Sequence, residues 1–221
     1  MSAAYKKQEM IKSELNETLS NRLICSKTTE LSDREKINKI EHYFTQIMDT
    51  LGLNLYDDSL IGTPRRVAEM YINEIFSGLN PANKPETRLF ENKYDYNRML
   101  IEKNITLYST CEHHFVPIIG MVHIAYIPDK YVIGLSKINR IVQFYAKRPQ
   151  VQERLTIQIS TGLKEVLQHN NVAVVIEANH LCIASRGIKD TSSLTHTADY
   201  SGQFEKETIK KEFLSHIYNK R

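Results

Sequence analysis

A chain of 221 residues is long enough for one sizeable core with an appendage, and its 41% hydrophobic and 25% charged residues are those of a folded globular protein. A net charge of only +3 argues against a nucleic-acid or membrane surface, so an anionic ligand must be held by local clusters. No apolar run reaches the roughly eighteen residues of a membrane span, residues 1–17 are polar where a secretory signal would be apolar, and cysteines are few, which predicts a cytoplasmic protein.

In chain order, Leu15, Leu19 and Leu23 stand at helical spacing. Ser32 and Glu35 form an S-x-x-E capping box, and Ile37, Ile40, Phe44, Ile47, Met48 and Leu51 follow on one helical face until Gly52 ends the run. Thr63 is predicted to cap a third helix, with Pro64 at its first position and Gly78 past its end. The stretch 79–100 is polar, holds two prolines and marks no element. From Ile105 the period becomes two: Ile105 to Tyr108 leads into Cys111, and Met121 to Ile127 makes a second strand before the Pro128-Asp129 turn.

Ser136 opens a helix with Ile138, Ile141, Val142 and Tyr145 on one face, stopped at Pro149. Residues 151–167 form the next, with Leu155, Ile159, Leu163 and Val166 inward. Val172 to Ile183 is apolar on both sides and predicts a central, covered strand; Ile188 to Thr197 is a more polar fourth; Phe204, Ile209, Phe213 and Ile217 mark a C-terminal helix. The order strand, strand, helix, helix, strand, strand predicts an α+β fold: a four-stranded antiparallel sheet with a helix pair over residues 101–221, preceded by a helical N-terminal extension over 1–100.

Two short runs carry the chemistry, Cys111-Glu112-His113-His114 and His180-Leu181-Cys182. Thiolate sulfur and imidazole nitrogen suit zinc, and three such donors leave the fourth tetrahedral position open for water, the layout of a hydrolytic metal site. On an extended strand His180 and Cys182 share a face while Leu181 turns away; Cys111 and His114, three apart, align on a turn at a strand end. Cys25 stands apart from both runs. A lone cysteine is more often a small core hydrophobe and a lone histidine a satisfied structural group, but two runs with the same donor types shift that balance. A closed structural zinc site would bring a second Cys-x-x-Cys or His-x-x-x-His pair, and a Cys111–Cys182 disulfide would need a secretory context. The spacing favours a catalytic metal over both.

Several longer runs resemble GTP cyclohydrolase I of the bacterial type: CEHHFVP from Cys111, VIGLSKINRIV from Val132, QVQERLT from Gln150, VAVV from Val172 and HLC from His180. TPRRVA from Thr63 is similar to that family's N-terminal helix start, and the match runs in order from about Leu51 to the C-terminus. The resemblance implies the tunnelling fold, in which sheets of several subunits join edge to edge into a barrel, and a homodecamer of two pentameric rings, an assembly open to allosteric control. It implies conversion of GTP and water into formate and 7,8-dihydroneopterin triphosphate, the entry to folate-type pterins.

By position, zinc is then held by Cys111, His114 and Cys182, with His113 and His180 as acid–base groups. Glu153, with Gln152 beside it, meets the N1–H and 2-amino donors of guanine, and Arg66, Ser136, Lys137, Arg140 and Arg186 hold the triphosphate. Without the resemblance, Glu153, Lys137 and Arg140 read as solvated helix faces. His196, Asp199 and Tyr200 stand where relatives mostly carry Thr, Ser or Leu. Two rival readings are a related tunnelling-fold enzyme acting on a pterin or deazaguanine, which would bring a histidine-built zinc site or a cysteine nucleophile, and a noncatalytic zinc-stabilised interaction module, which leaves His113 and His180 unused.

Overall fold

The structure, a computed structural model, describes residues 31–86 and 88–219; the helix expected at Leu15, Leu19 and Leu23 and the unassigned Cys25 lie outside them. The chain divides into two compact units between Asn80 and Pro81. Among the described residues no helix is long and apolar enough to cross a membrane.

The first unit holds α1 (Asp33–Thr50) and α2 (Thr63–Met70). At the start of α1 the Ser32 hydroxyl accepts the Glu35 N–H at 3.3 Å, and the Glu35 carboxylate accepts the Ser32 N–H at 2.8 Å. This reciprocal pair satisfies donors that a helix start leaves open, and the Ser32 hydroxyl, donating to the Glu35 carboxylate at 2.6 Å, together with the Ser32 N–H holds that carboxyl below its ordinary range. Past the other end, Gly52 takes a left-handed φ of 76°, which glycine adopts without steric cost. Of the expected apolar stripe, Ile37 and Met48 are buried, whereas Ile47 and Leu51 are 51% and 71% exposed, so the stripe is wider than the face that α1 buries. The cap of α2 is Gly62 rather than Thr63. Thr63 is the first helical residue, and its hydroxyl accepts the Arg66 guanidinium at 2.6 Å instead of a backbone N–H. Arg65 fastens α2 to α1 by donating to Asn38 and Glu41 while also gripping Glu69 of its own helix.

The second unit runs β1 (Leu89–Glu91), β2 (Leu100–Cys111), β3 (Pro117–Tyr126), β4 (Tyr131–Ile133), α3 (Leu135–Ala146), β5 (Pro149–Gln150), α4 (Gln152–Leu167), β6 (Val172–His180), α5 (Leu181–Ala184), β7 (Thr195–Tyr200) and α6 (Glu207–Tyr218). Its main sheet has the order β5-β2-β3-β6-β7; the four long strands pair antiparallel, and the two-residue β5 adds in parallel beside Thr110 and Cys111. This is the α+β architecture expected. β1 and β4 pair with each other in the otherwise unassigned stretch before β2 and after β3.

One face of the sheet, with Leu107, Val122, Ile124, Val174 and Ile176, buries Ile138 and Val142 of α3 and Leu155, Ile159 and Leu163 of α4. The other face sets Ala125, Ala173 and Val175 against Phe204 and Phe213 of the C-terminal segment. Residues 172–176 of β6 are therefore covered on both sides, the reason that stretch is apolar throughout, and each such buried Ile or Val contributes about 1.5–3 kcal/mol. β3 and β6 approach so closely that a Cβ on Gly120 would lie 2.0 Å from the Glu177 carbonyl oxygen.

Several boundaries differ from expectation: β2 begins at Leu100, not Ile105, and β3 spans Pro117–Tyr126, not Met121 to Ile127. β6 stops at His180, not Ile183: its partner begins at Pro117, which has no N–H to donate, and Ile118–His180 is the last pair. β7 begins at Thr195, not Ile188, because Gly187 and Lys189 take left-handed φ values of 59° and 58° and the Asp190 carboxylate closes a turn on the Ser192 N–H at 2.8 Å. Ser136 does not cap α3; Gly134 occupies that position, its carbonyl accepting the Lys137 N–H at 2.8 Å.

Candidate metal centre

Cys111 is the last residue of β2, and the turn that follows folds back on it. The Cys111 N–H donates to the Val116 carbonyl at 2.9 Å and the Cys111 carbonyl accepts the Phe115 N–H at 2.9 Å, which swings His114 over the strand end. Phe115 takes a left-handed φ of 55° to close this turn, a conformation that costs a non-glycine residue on the order of 1 kcal/mol and is retained where surrounding contacts enforce it. Cys182 comes from the other direction, in the first turn of α5 directly after β6. His180 and Cys182 therefore share no strand face; the strand ends between them.

The donor atoms of Cys111, His114 and Cys182 all lie within 4.8 Å of one another. One zinc ion, with bonds of about 2.3 Å to sulfur and 2.0–2.1 Å to nitrogen, spans a set of that size, and two soft sulfurs with one imidazole fit its donor preferences. Cys111 is buried, Cys182 half-buried and His114 exposed, so the set opens on one side. Burial, reinforced by the Cys111 thiol beside it, pushes the Cys182 thiol above its ordinary range. A cation there would reverse that balance by favouring thiolate.

His113 is exposed and outside the donor group, its Nδ1 3.9 Å from the Cys111 sulfur. His180 is held differently. Its Nε2 lies 2.8 Å from Gln152 Oε1, while the Gln152 amide nitrogen donates to the Ile176 carbonyl at 3.1 Å, the Thr195 carbonyl at 2.9 Å and the Thr197 hydroxyl at 3.1 Å. Carbonyl oxygens only accept, so the amide nitrogen belongs on their side and the amide oxygen faces His180. His180 Nε2 then carries the hydrogen and Nδ1 keeps its lone pair. Burial lowers the His180 pKa and so favours the neutral ring, an effect partly offset by the Glu153 carboxylate.

The other expected residues divide. Gln152 is 1% exposed and fully engaged in the His180 network. Glu153, beside it, is exposed, and its carboxylate makes no hydrogen bond among the described residues. Arg186 stands at the donor set, its guanidinium donating to His114 Nε2 at 3.1 Å. Ser136, Lys137 and Arg140 follow Gly134 along the outer face of α3, while Ile138, Ile141 and Val142 turn inward. Arg66 belongs to the first unit, where it donates to the Ser59 carbonyl at 3.0 Å and to Thr63. The expectations omitted Glu112 and Arg154, which are bound to each other. The available signal was a carboxylate inside the Cys-x-x-His run and a guanidinium two residues from Gln152.

The profile of the GTP cyclohydrolase I family matches residues 40–218 of this chain. A GTP cyclohydrolase 1 of Flavobacterium johnsoniae is 56% identical over 188 residues, covering 85% of this chain and 84% of that protein. The GTP cyclohydrolase 1 of Salmonella gallinarum is 53% identical over 186 residues, covering 84% of each. Among solved structures, an apo archaeosine synthase QueF-like protein covers 47% of this chain and 93% of its own at 18% identity and a TM-score of 0.39.

Proposed function

The chain belongs to the GTP cyclohydrolase I family, and from that premise we propose that it converts GTP and water into formate and 7,8-dihydroneopterin triphosphate, with one zinc ion held by Cys111, His114 and Cys182. The observation that carries the reading is the three-donor set with His113 and His180 beside it and outside it. A closed structural site would have no use for two further imidazoles at its edge. Bound there, zinc would lower the pKa of a water molecule from 15.7 to roughly 7 and so make hydroxide available at neutral pH for addition at guanine C8.

The remaining chemistry falls to side chains. Opening the imidazole ring breaks bonds from C8 to ring nitrogen, and each departing nitrogen needs a proton. His180, neutral with its Nδ1 lone pair free, accepts a proton; His113, exposed beside Cys111, returns one. Gln152 holds His180 in the required tautomer. The Glu153 carboxylate accepts the N1–H and 2-amino donors of guanine in a forked pair, and its neighbour's burial fixes the helix turn from which it projects. Lys137, Arg140 and Arg186, with Ser136 donating its hydroxyl, bind the triphosphate, and Arg66 is the family's further basic position. Arg186 beside His114 supports adjoining phosphate and metal sites.

In this reading residues 101–221 are the catalytic region, residues 1–100 the N-terminal extension, and the sheets of several copies join as a tunnelling-fold barrel in a homodecamer. The sheet edges support that assembly. β7 pairs only with β6, and β5 covers only Thr110 and Cys111 of β2, leaving most of that strand's outer edge open among the described residues. Light scattering at a decamer's mass is expected; a fully active monomer would refute the barrel. The activity itself is tested by incubating the purified protein with GTP and zinc and assaying formate and the pterin product together. Equal yields of the two are expected, and absence of formate overturns the reading.

A further inference from the structure

The first turn of α4 touches both segments that carry the metal donors. Gln152 holds His180, two residues before Cys182, and Arg154 holds Glu112, the residue after Cys111. Arg154 is engaged on three sides: its Nε donates to Gln150 Oε1 at 3.0 Å, and one terminal nitrogen donates to the Pro149 carbonyl at 3.0 Å and to the Glu112 carboxylate. Gln150 is itself fully buried, its amide nitrogen donating to the Tyr145 carbonyl and to Gln158 Oε1, each at 2.8 Å. The Glu112 N–H donates to the Gln150 carbonyl at 3.0 Å. A continuous path of hydrogen bonds thus runs from the α3–α4 body through Gln150 and Arg154 to the middle of the metal turn.

The Arg154 and Glu112 side chains are 17% and 24% exposed, whereas the α1–α2 pair of Arg65 and Glu41 is 41% and 38% exposed. The less exposed pair is less screened, and loss of one partner strands the other's charge. Glu112 lies outside the donor set, and its second oxygen is 3.9 Å from His113 Nε2. We infer that Arg154 and Glu112 are positioning residues of the metal centre, a clamp that sets the turn carrying Cys111, His113 and His114 without contributing a donor. Partners that orient metal ligands typically change metal affinity by about 10–100-fold when removed.

The inference rests on Cys111, His114 and Cys182 being the donors, and the test separates the two claims. Zinc affinity of the full chain is measured by competition with a chromogenic chelator for the intact protein, Glu112→Gln, Arg154→Lys and the double variant. Cobalt-loaded samples are compared by the visible bands that report tetrahedral sulfur coordination, and circular dichroism checks the fold. Glu112→Gln keeps side-chain volume and leaves Arg154 its Pro149 and Gln150 partners, so it is expected to remain folded. Each single variant should bind zinc about 10–100-fold more weakly with altered cobalt bands, and the double variant should lose little more than the larger single loss. Intact affinity with unchanged cobalt bands in both single variants would overturn the clamp, as would losses that multiply in the double variant. An intact chain that takes up neither metal would instead overturn the donor assignment, and with it the clamp's role at a metal.

Discussion

The first turn of α4 and the first turns of α3 treat their polar side chains in opposite ways. On α4, Gln152 and Arg154 are enclosed and bonded on several sides to backbone carbonyls and to the segments that carry Cys111 and Cys182. On α3, the side chains of Ser136, Lys137 and Arg140 make no hydrogen bond or ion pair among the described residues. In the proposed function, the enclosed α4 groups hold a proton or a ligand atom at one place, and the solvated α3 groups meet a highly charged ligand. Damage to the first kind should cost chemistry, and damage to the second should cost binding.

The largest effect expected is from Cys182→Ala, which removes one of three donors: metal analysis should show loss of zinc together with loss of turnover. Full zinc occupancy in that variant would remove Cys182 from the site. His113→Ala should keep its zinc and lose about 10²–10⁴-fold in kcat, the usual contribution of a positioned acid–base group. A zinc-loaded variant releasing formate at the normal rate would leave His113 without a role.

Arg140→Ala attacks the other side of the comparison. Loss of one charge-assisted hydrogen bond, about 1.5–3 kcal/mol, should weaken GTP by roughly 10- to 150-fold, chiefly in KM, while guanosine is little affected. A variant that loses GTP and guanosine equally would show that the α3 face is not the phosphate site. Added salt should weaken GTP more than guanosine for the same reason.

The smallest effect concerns His123, which lies in neither region. It is 3% exposed on β3, its Nδ1 accepting the Asn104 N–H at 3.3 Å at the β2 bulge, with Glu177 3.6 Å from its Nε2. Burial lowers its pKa, partly offset by Glu177. The unfolded chain therefore takes up a proton first, at its ordinary value of about 6.5, and stability should fall as pH drops from there toward the lower folded value. Thermal melts between pH 8 and 5 should show a shallower decline for His123→Gln than for the intact protein; identical slopes would mean the ring is not kept neutral.

Much of this was legible in local spacing. The capping box at Ser32 and Glu35 and the inward faces of α3 and α4 depend on neighbours within a few residues, and they stand as expected; the two strands flanking the Cys111 run are present but begin earlier, at Leu100 and Pro117. The end of β6 differs because Pro117 begins its partner strand, which a pattern along β6 alone does not contain, and the start of β7 differs because Gly187, Lys189 and Asp190 form a turn where the polar run reads as strand. Gln152 was expected beside the substrate; its enclosure depends on His180, 28 residues away, and on Thr195 and Thr197, farther still. The Arg154–Glu112 pair spans 42 residues and was invisible for the same reason. Donor residues announce themselves by type, whereas the residues that hold them are ordinary until the fold brings them together.

The central claim, that Cys111, His114 and Cys182 form the metal centre of a GTP-opening enzyme, is tested most directly by titrating zinc into chelator-stripped protein while measuring formate released from GTP. The account predicts no formate from the stripped protein and a rise that saturates near about one zinc per chain, as expected for a single three-donor site. Formate release that persists without metal, or that never appears with it, would contradict the account.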